Sequence, residues 1–327
     1  MQPSRRALLT GAAATLIVGR NAVAAPARGP REAMVPVPGG RVYVRVDGRL
    51  DGPRAPVVMI HGGPGGTHRG LLDAAALADE RAVIFYDQLD SGRSDWPQAP
   101  ANWTVARFVD ELEAVRTALG VSRWHVCGAS WGGTIALEYA ARRPAALAGT
   151  VLAGPLISTR SWLADAAVLR AALPADVRAT LTGCDVPTPP SPTRCDAATE
   201  EFYRRYNRRV TRAARVTDER LGQDRGSNER LYRTMWGRSE FVSTGTLRDY
   251  DGEPLLARLD GARTLFMVGQ HDEARPATAL GFAARVPGAE LAVIPGAAHG
   301  TFNDRPDESV AVLRGWLRRQ DAVRPAT

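Results

Sequence analysis

Gly128-Ala129-Ser130-Trp131-Gly132 carries the pattern G-x-S-x-G. Where such a run joins a strand to a helix, its serine sits on a tight turn with the hydroxyl exposed. That hydroxyl is a candidate nucleophile for acyl transfer, and a helix N-cap is the other use of a serine there. A nucleophilic serine needs a base, and the base needs an orienting acid. The chain has five histidines, so elimination is informative. His61 belongs to a glycine-rich run, His68 follows that run, and His125 lies inside an apolar segment. His271 precedes the last apolar segment, whereas His299, in Gly296-Ala297-Ala298-His299-Gly300, follows it and is the expected base. Asp272 stands just after another apolar run and is the expected acid, with a helix N-cap as its alternative. His61-Gly62-Gly63-Pro64-Gly65-Gly66 can turn backbone N–H groups inward. With the N–H of Trp131 they would form an oxyanion hole for a tetrahedral intermediate. No Gly-Lys-Ser/Thr follows, so this is not a phosphate loop.

These residues need elements to hold them. Arg41 to Val46 alternates like a half-buried strand. Pro56 to Ile60 and Ala82 to Tyr86 are short, continuous apolar runs, as parallel strands buried on both faces should be. Leu71 to Ala78 reads as helical, and Val105 to Leu119 as a helix with Gly120 at its C-terminal cap. Trp124 to Cys127 and Thr150 to Ala153 are further strands, with a helix from Gly132 to Arg143 between them. From about Ser158 to Asp251 the strand rhythm stops and the sequence becomes arginine-rich and helical. It resumes at Thr264 to Val268 and Leu291 to Ile294, and a helix from Asp307 to Arg319 closes the chain. Alternating strands and helices predict an α/β fold, a mostly parallel sheet with helices on both faces. The expected division is a core over 25–157 and 252–327 with an inserted helical cap at 158–251. Ser130, Asp272 and His299 then all follow the carboxyl ends of strands, where open sheets place their sites, and in α/β-hydrolase order.

Several runs together resemble one family. His61-Gly-Gly-Pro-Gly-Gly66, Phe85-Tyr86-Asp87-Gln88, Ser91-Gly-Arg-Ser94 and Ser130-Trp-Gly-Gly133 are similar to the proline iminopeptidases of the α/β-hydrolase fold. Met235-Trp-Gly-Arg-Ser-Glu-Phe241 with Gly245-Thr246, and Gly269-Gln-His-Asp-Glu273, resemble the subgroup of the tricorn-interacting aminopeptidase and of L-amino-acid and L-proline amidases. The likeness runs from about residue 34 to 320. It implies Ser130, Asp272 and His299 as triad, Gly63 and Trp131 as oxyanion donors, and no cofactor or metal. It also implies Glu240 and Glu273 as ligands of the substrate's α-ammonium, because two carboxylates in a cleft hold a cation by charge-assisted hydrogen bonds. The implied activity is release of an N-terminal residue, preferably proline, from short peptides or amino-acid amides through an acyl-enzyme. The alternative is a secreted amidase or esterase of the same fold that does not act on peptides. The chain departs from the family at Leu89-Asp90, where relatives carry x-Gly, and at Gly300-Thr301-Phe302-Asn303, where relatives are more apolar and acidic.

Composition sets the outer limits. The 327 residues are 44% apolar and 24% charged, ordinary for a globular protein and unlike a disordered or polytopic membrane chain. No lysine occurs, so the net charge of +7 rests on arginines interspersed with acids. No dense basic block marks a nucleic-acid track. Ser4-Arg5-Arg6, the apolar run Gly11 to Gly19 and Ala22-Val23-Ala24 read as a twin-arginine signal peptide over 1–24. Cleavage there removes Arg5, Arg6 and Arg20 and no acid, so the charge falls from +7 by three to +4. The mature protein is expected in a periplasm or outside the cell, without stable membrane association. Of three cysteines, Cys127 reads as a buried small hydrophobe. Cys184 and Cys195 flank a segment with four prolines, and in an oxidising compartment a bridge between them is expected, two unpaired thiols being the alternative.

Overall fold

The computed structural model describes residues 30–184, 186, 191–211 and 219–322. The expected signal peptide at 1–24 and residues 187–190 of the proline-rich stretch lie outside them.

An eight-stranded sheet runs in the order β1-β2-β4-β3-β5-β6-β9-β10. Its strands are β1 (Arg31–Val37), β2 (Gly40–Asp47), β3 (Val57–Ile60), β4 (Val83–Tyr86), β5 (Trp124–Ala129), β6 (Leu147–Ala153), β9 (Thr264–Gly269) and β10 (Glu290–Ile294). β1 and β2 pair antiparallel with each other, and β2 pairs antiparallel with β4; every other pairing in this sheet is parallel. The continuous apolar runs have a direct reason. Successive side chains leave a strand on opposite faces, and here both faces are covered. Val58, Ile84 and Val126 join one apolar cluster with Phe108, Leu112 and Ile135. Val57, Val83 and Cys127 join a second cluster with Leu71, Leu77 and Trp316.

The first cluster is closed by helices α1 (Val105–Ala118) and α2 (Trp131–Ala141). Thr104 caps α1 by accepting from the Arg107 amide, and Gly120 takes φ +65° just past its end. The second cluster is closed by a 3-10 segment, His68–Asp79, and by the C-terminal helix, Pro306–Ala322. The expected helix at Leu71 to Ala78 is therefore present in the tighter 3-10 form.

The chain leaves the sheet after β6 and returns before β9. Ser158 and Asp251 form an isolated antiparallel bridge where it does so. Between them lie α3 (Thr159–Ala171), α4 (Ala175–Cys184), α5 (Pro192–Tyr206) and α6 (Glu229–Met235), then a small hairpin of β7 (Gly237–Ser239) and β8 (Val242–Ser243). A disulfide joins Cys184 at the end of α4 to Cys195 in α5. After β9 come α7 (Pro276–Ala284), then α8 (Thr301–Asp304) and α9, the C-terminal helix. Among the described residues no helix is long and apolar enough to cross a membrane.

Candidate active site

Ser130 sits at the junction of β5 and α2 with φ +57° and ψ −122°. That left-handed backbone is unusual for a residue with a side chain and is what holds the hydroxyl out of the turn. Its amide donates to Ala153 O at the end of β6, and its carbonyl accepts from Gly133 and Leu156. The next residue along, Gly154, lies under the neighbouring loops. A Cβ there would come 2.8 Å from Nδ1 of His299 and 3.0 Å from Oδ2 of Asp272. The strand ends thus bring Ser130, Asp272 and His299 to one spot, although the last two are 27 residues apart in sequence.

Asp272 follows β9 and is buried. Its Oδ1 lies 2.7 Å from Nδ1 of His299, and its two oxygens also accept the amides of Ala274 and Gly269 at 2.9 and 3.0 Å. A carboxylate fixed by two backbone donors cannot swing, so it sets the plane and tautomer of the imidazole. His299 follows β10. Burial alone would lower its pKa, but Asp272, Glu273 and Glu240 outweigh burial and raise it to about 9.

On the other side of Ser130 lies the glycine loop after β3. A Cβ on Gly62 would be 2.8 Å from Cβ of Ser130. The glycine loop thus lies against Ser130 at the start of α2. A buried polar brace sets both. The Gln88 amide donates to Nε2 of His61 at 3.0 Å, which leaves the proton on Nδ1, facing Gly62 O at 2.9 Å. The Gln88 side chain donates to His61 O at 2.9 Å and accepts from Trp131 Nε1 at 2.9 Å. Burial lowers the pKa of His61 and keeps it neutral in this role.

Glu273 is the residue after Asp272, and Glu240 is at the turn between β7 and β8. Oε1 of Glu273 is 3.8 Å from Nε2 of His299 and accepts from Asn207 Nδ2 at 2.5 Å. Its Oε2 is buried without a hydrogen-bond partner among the described residues. Glu240 accepts from the Tyr232 hydroxyl at 2.7 Å. Burial raises both carboxyl pKa values, Glu273 well above the ordinary range, and the charge of Glu240 pushes Glu273 further. The two carboxylates and His299 thus form one electrostatic cluster.

Three neighbours of this cluster escape sequence reasoning. Trp162 of α3 stands edge-on to His299, with ring centroids 5.5 Å apart, and its Nε1 donates to the Glu240 carbonyl at 3.1 Å. The carbonyl of Tyr206, at the end of α5, accepts both the Glu273 and the His299 amides at 3.1 Å. The carbonyl of Asn207 accepts from Gly300 at 2.8 Å. No local spacing announces any of these, because each joins the inserted segment to the core.

The remaining histidines lie elsewhere. His68 is buried between Asp87 and Glu219, at 2.8 and 2.7 Å. His125 packs against Trp316, and His271 lies on the loop after β9 with its pKa lowered by burial and Arg209.

Both departures from the resembling family have a structural setting. Asp90 takes φ +66°, a conformation glycine adopts without strain. It is held there by its own oxygens, which accept Gln98 N at 2.7 Å and Trp103 Nε1 at 2.8 Å. The stretch after His299 docks on the segment that follows α5: Asn303 donates to Val210 O at 2.8 Å, and Asp304 accepts the Arg209 and Val210 amides.

A strand-to-helix serine elbow, an acid and a histidine after the next strands, and a mostly parallel sheet define an α/β-hydrolase. The family model described as "alpha/beta hydrolase fold" matches residues 55–306. A proline iminopeptidase of Heyndrickxia coagulans is 32% identical over 287 residues, covering 88% of this chain and 98% of that one. The crystal structure of a Mycobacterium smegmatis proline iminopeptidase superposes with a TM-score of 0.77 at 35% identity, covering 89% of this chain and 99% of that one. The crystal structure of VinJ superposes with a TM-score of 0.79 at 34% identity, with the same coverage. The chain belongs to the proline iminopeptidase family of α/β-hydrolases.

Proposed function

We propose that this protein is a serine aminopeptidase that releases an N-terminal residue, proline by preference, from short peptides or amino-acid amides. One observation carries the reading beyond family membership. Glu240 and Glu273 stand beside His299 with only neutral side-chain donors, Tyr232 and Asn207, and among the described residues no arginine pairs with either. Two carboxylates that share a single histidine in a closed site are costly unless the ligand supplies a further cation. A substrate's free α-ammonium is such a cation, and an N-acylated substrate is not.

In this scheme Ser130 attacks the carbonyl, and His299 takes the hydroxyl proton and returns it to the leaving amine. Asp272 orients His299 and stabilises the imidazolium. The amides of Gly63 and Trp131 hold the oxyanion, each donor worth roughly 3 kcal/mol in the transition state. Water then frees the acyl-enzyme. The ammonium has a second effect: paired with Glu240 and Glu273, it offsets the negative charge that raises the pKa of His299. Substrate binding therefore moves His299 toward the neutral form that a base requires.

We also infer export of the chain after removal of residues 1–24, from the leader pattern and the disulfide in α4–α5. Residues 158–251 act as a cap over the cleft, supported by the contacts of Tyr206 and Trp162 with the loops below. The test is a panel of Pro- and Ala-4-nitroanilide, N-acetyl-Pro-4-nitroanilide, prolinamide and a short-chain 4-nitrophenyl ester. Rapid cleavage of the free-amino anilides and not of the acetylated one is the expected result. Turnover of the ester alone overturns the reading.

A further inference from the structure

α5 ends at the two loops that carry Glu273 and His299, and Asn207 caps it. The backbone carbonyls there brace both loops, as any helix end could. The Asn207 side chain does something more selective. Its Nδ2 donates to Oε1 of Glu273 at 2.5 Å, while Oε2, on the same planar group, is buried and has no partner among the described residues. A carboxylate pinned at one oxygen has the direction of its other oxygen fixed as well. The donor is an amide, not a cation, so it orients Glu273 without cancelling its charge. Asn207 is itself held at both backbone groups, its amide donating to Tyr203 O at 2.8 Å and its carbonyl accepting from Gly300 at 2.8 Å. The Tyr232 hydroxyl treats Glu240 in the same way, with one neutral donor on one oxygen.

We propose that Asn207 is a positioning residue for amine recognition: it pins Oε1 of Glu273 so that Oε2 meets the α-ammonium of the substrate. The proposal rests on the aminopeptidase reading above. It makes Asn207 a determinant of selectivity that touches no reacting atom, and places that determinant in the inserted segment.

The test compares wild type with Asn207→Leu and Asn207→Ala, which remove the donor, and with Asn207→Gln, which keeps an amide. KM and kcat are measured for prolyl-4-nitroanilide and for 4-nitrophenyl butyrate, which has no amine, and folding is followed by thermal unfolding. The donor-less variants should raise KM for the anilide by about tenfold or more, the scale of one lost hydrogen bond to a charged group. Their kcat for the anilide and their activity on the ester should stay within about threefold, and Asn207→Gln should stay close to wild type in KM. An unchanged anilide KM, equal losses on both substrates, or a Gln variant as impaired as Leu would overturn the proposal. So would failure of both donor-less variants to fold, which would make the residue structural. If wild type itself cleaves N-acetyl-prolyl-4-nitroanilide as readily as the free-amino anilide, the aminopeptidase reading fails first and this proposal with it.

Discussion

Replacing Glu273 by glutamine should help one substrate and harm another. Oε1 of Glu273 lies 3.8 Å from Nε2 of His299. Unit charges at that separation interact by about 4 kcal/mol at an effective dielectric of 20, which is an upper bound because Glu240 and Asp272 share the same imidazole. Together, and against burial, these three carboxylates lift its pKa from 6.5 to about 9. Glu273 is one of the contributors to that rise. His299 must be neutral to act as base, so kcat/KM for free enzyme rises as pH rises through this pKa. Removing the charge of Glu273 moves the acid limb to lower pH, so hydrolysis of a short-chain 4-nitrophenyl ester near pH 7 should increase, by about tenfold for each pH unit the limb moves. With prolyl-4-nitroanilide the same variant loses a charge-assisted hydrogen bond of roughly 1.5–3 kcal/mol, and KM should rise by about ten- to a hundredfold. The assay is a pH profile of kcat/KM from pH 5 to 10 with both substrates. An ester limb that stays in place or moves to higher pH would refute the electrostatic coupling, whatever happens to the anilide.

Other outcomes follow from the same contacts. Ser130→Ala should abolish turnover of every substrate in a protein whose thermal unfolding matches wild type; residual full activity would remove Ser130 from the mechanism. Gly154→Ala places a Cβ 2.8 Å from Nδ1 of His299 at a backbone φ of +50°, so kcat should fall by about tenfold or more with KM little changed. His68 is buried between two carboxylates, and its pKa is raised from 6.5 to about 9, the effects of Asp87 and Glu219 outweighing burial. A raised folded-state value stabilises below the unfolded pKa and is lost as pH climbs through the folded one. Between pH 6 and 10, urea unfolding should therefore show wild type losing about 3 kcal/mol more than His68→Leu. Thiol counting on denatured, unreduced protein should find one free thiol, Cys127, and three would deny the Cys184–Cys195 bond.

The sheet was legible because burial on both faces leaves uninterrupted apolar runs, and because turns between such runs expose chemically conspicuous residues. Ser130, Asp272 and His299 could be found as polar residues just beyond apolar strands. β1 could not: its sequence, Arg31-Glu32-Ala33-Met34-Val35-Pro36-Val37, is that of an edge strand, with charges and a proline where a central strand has none. The β7–β8 hairpin is too short to show a period within an otherwise helical segment, yet it presents Glu240. α7, rich in small residues and starting at a proline, has no clear polar face to reveal it. Asn207 had no sequence signal at all. Its partner lies 66 residues away, and nothing but the folded arrangement makes an asparagine in an arginine-rich stretch different from its neighbours.

The double acceptance by the Tyr206 carbonyl has a consequence for how the site is held together. One oxygen at the tip of α5 receives the amide of Glu273 and that of His299, and the oxygen of the next residue receives that of Gly300. Any excursion of this helix that widens the cleft breaks those bonds together. The base and the amine ligand therefore share one support, and a shift of α5 away from the core would release both together. Replacing residues 158–251 by a foreign segment without an equivalent helix end in the same register should yield a sound scaffold in which Asp272 and His299 are present but the His299 and Glu273 loops are not held in place.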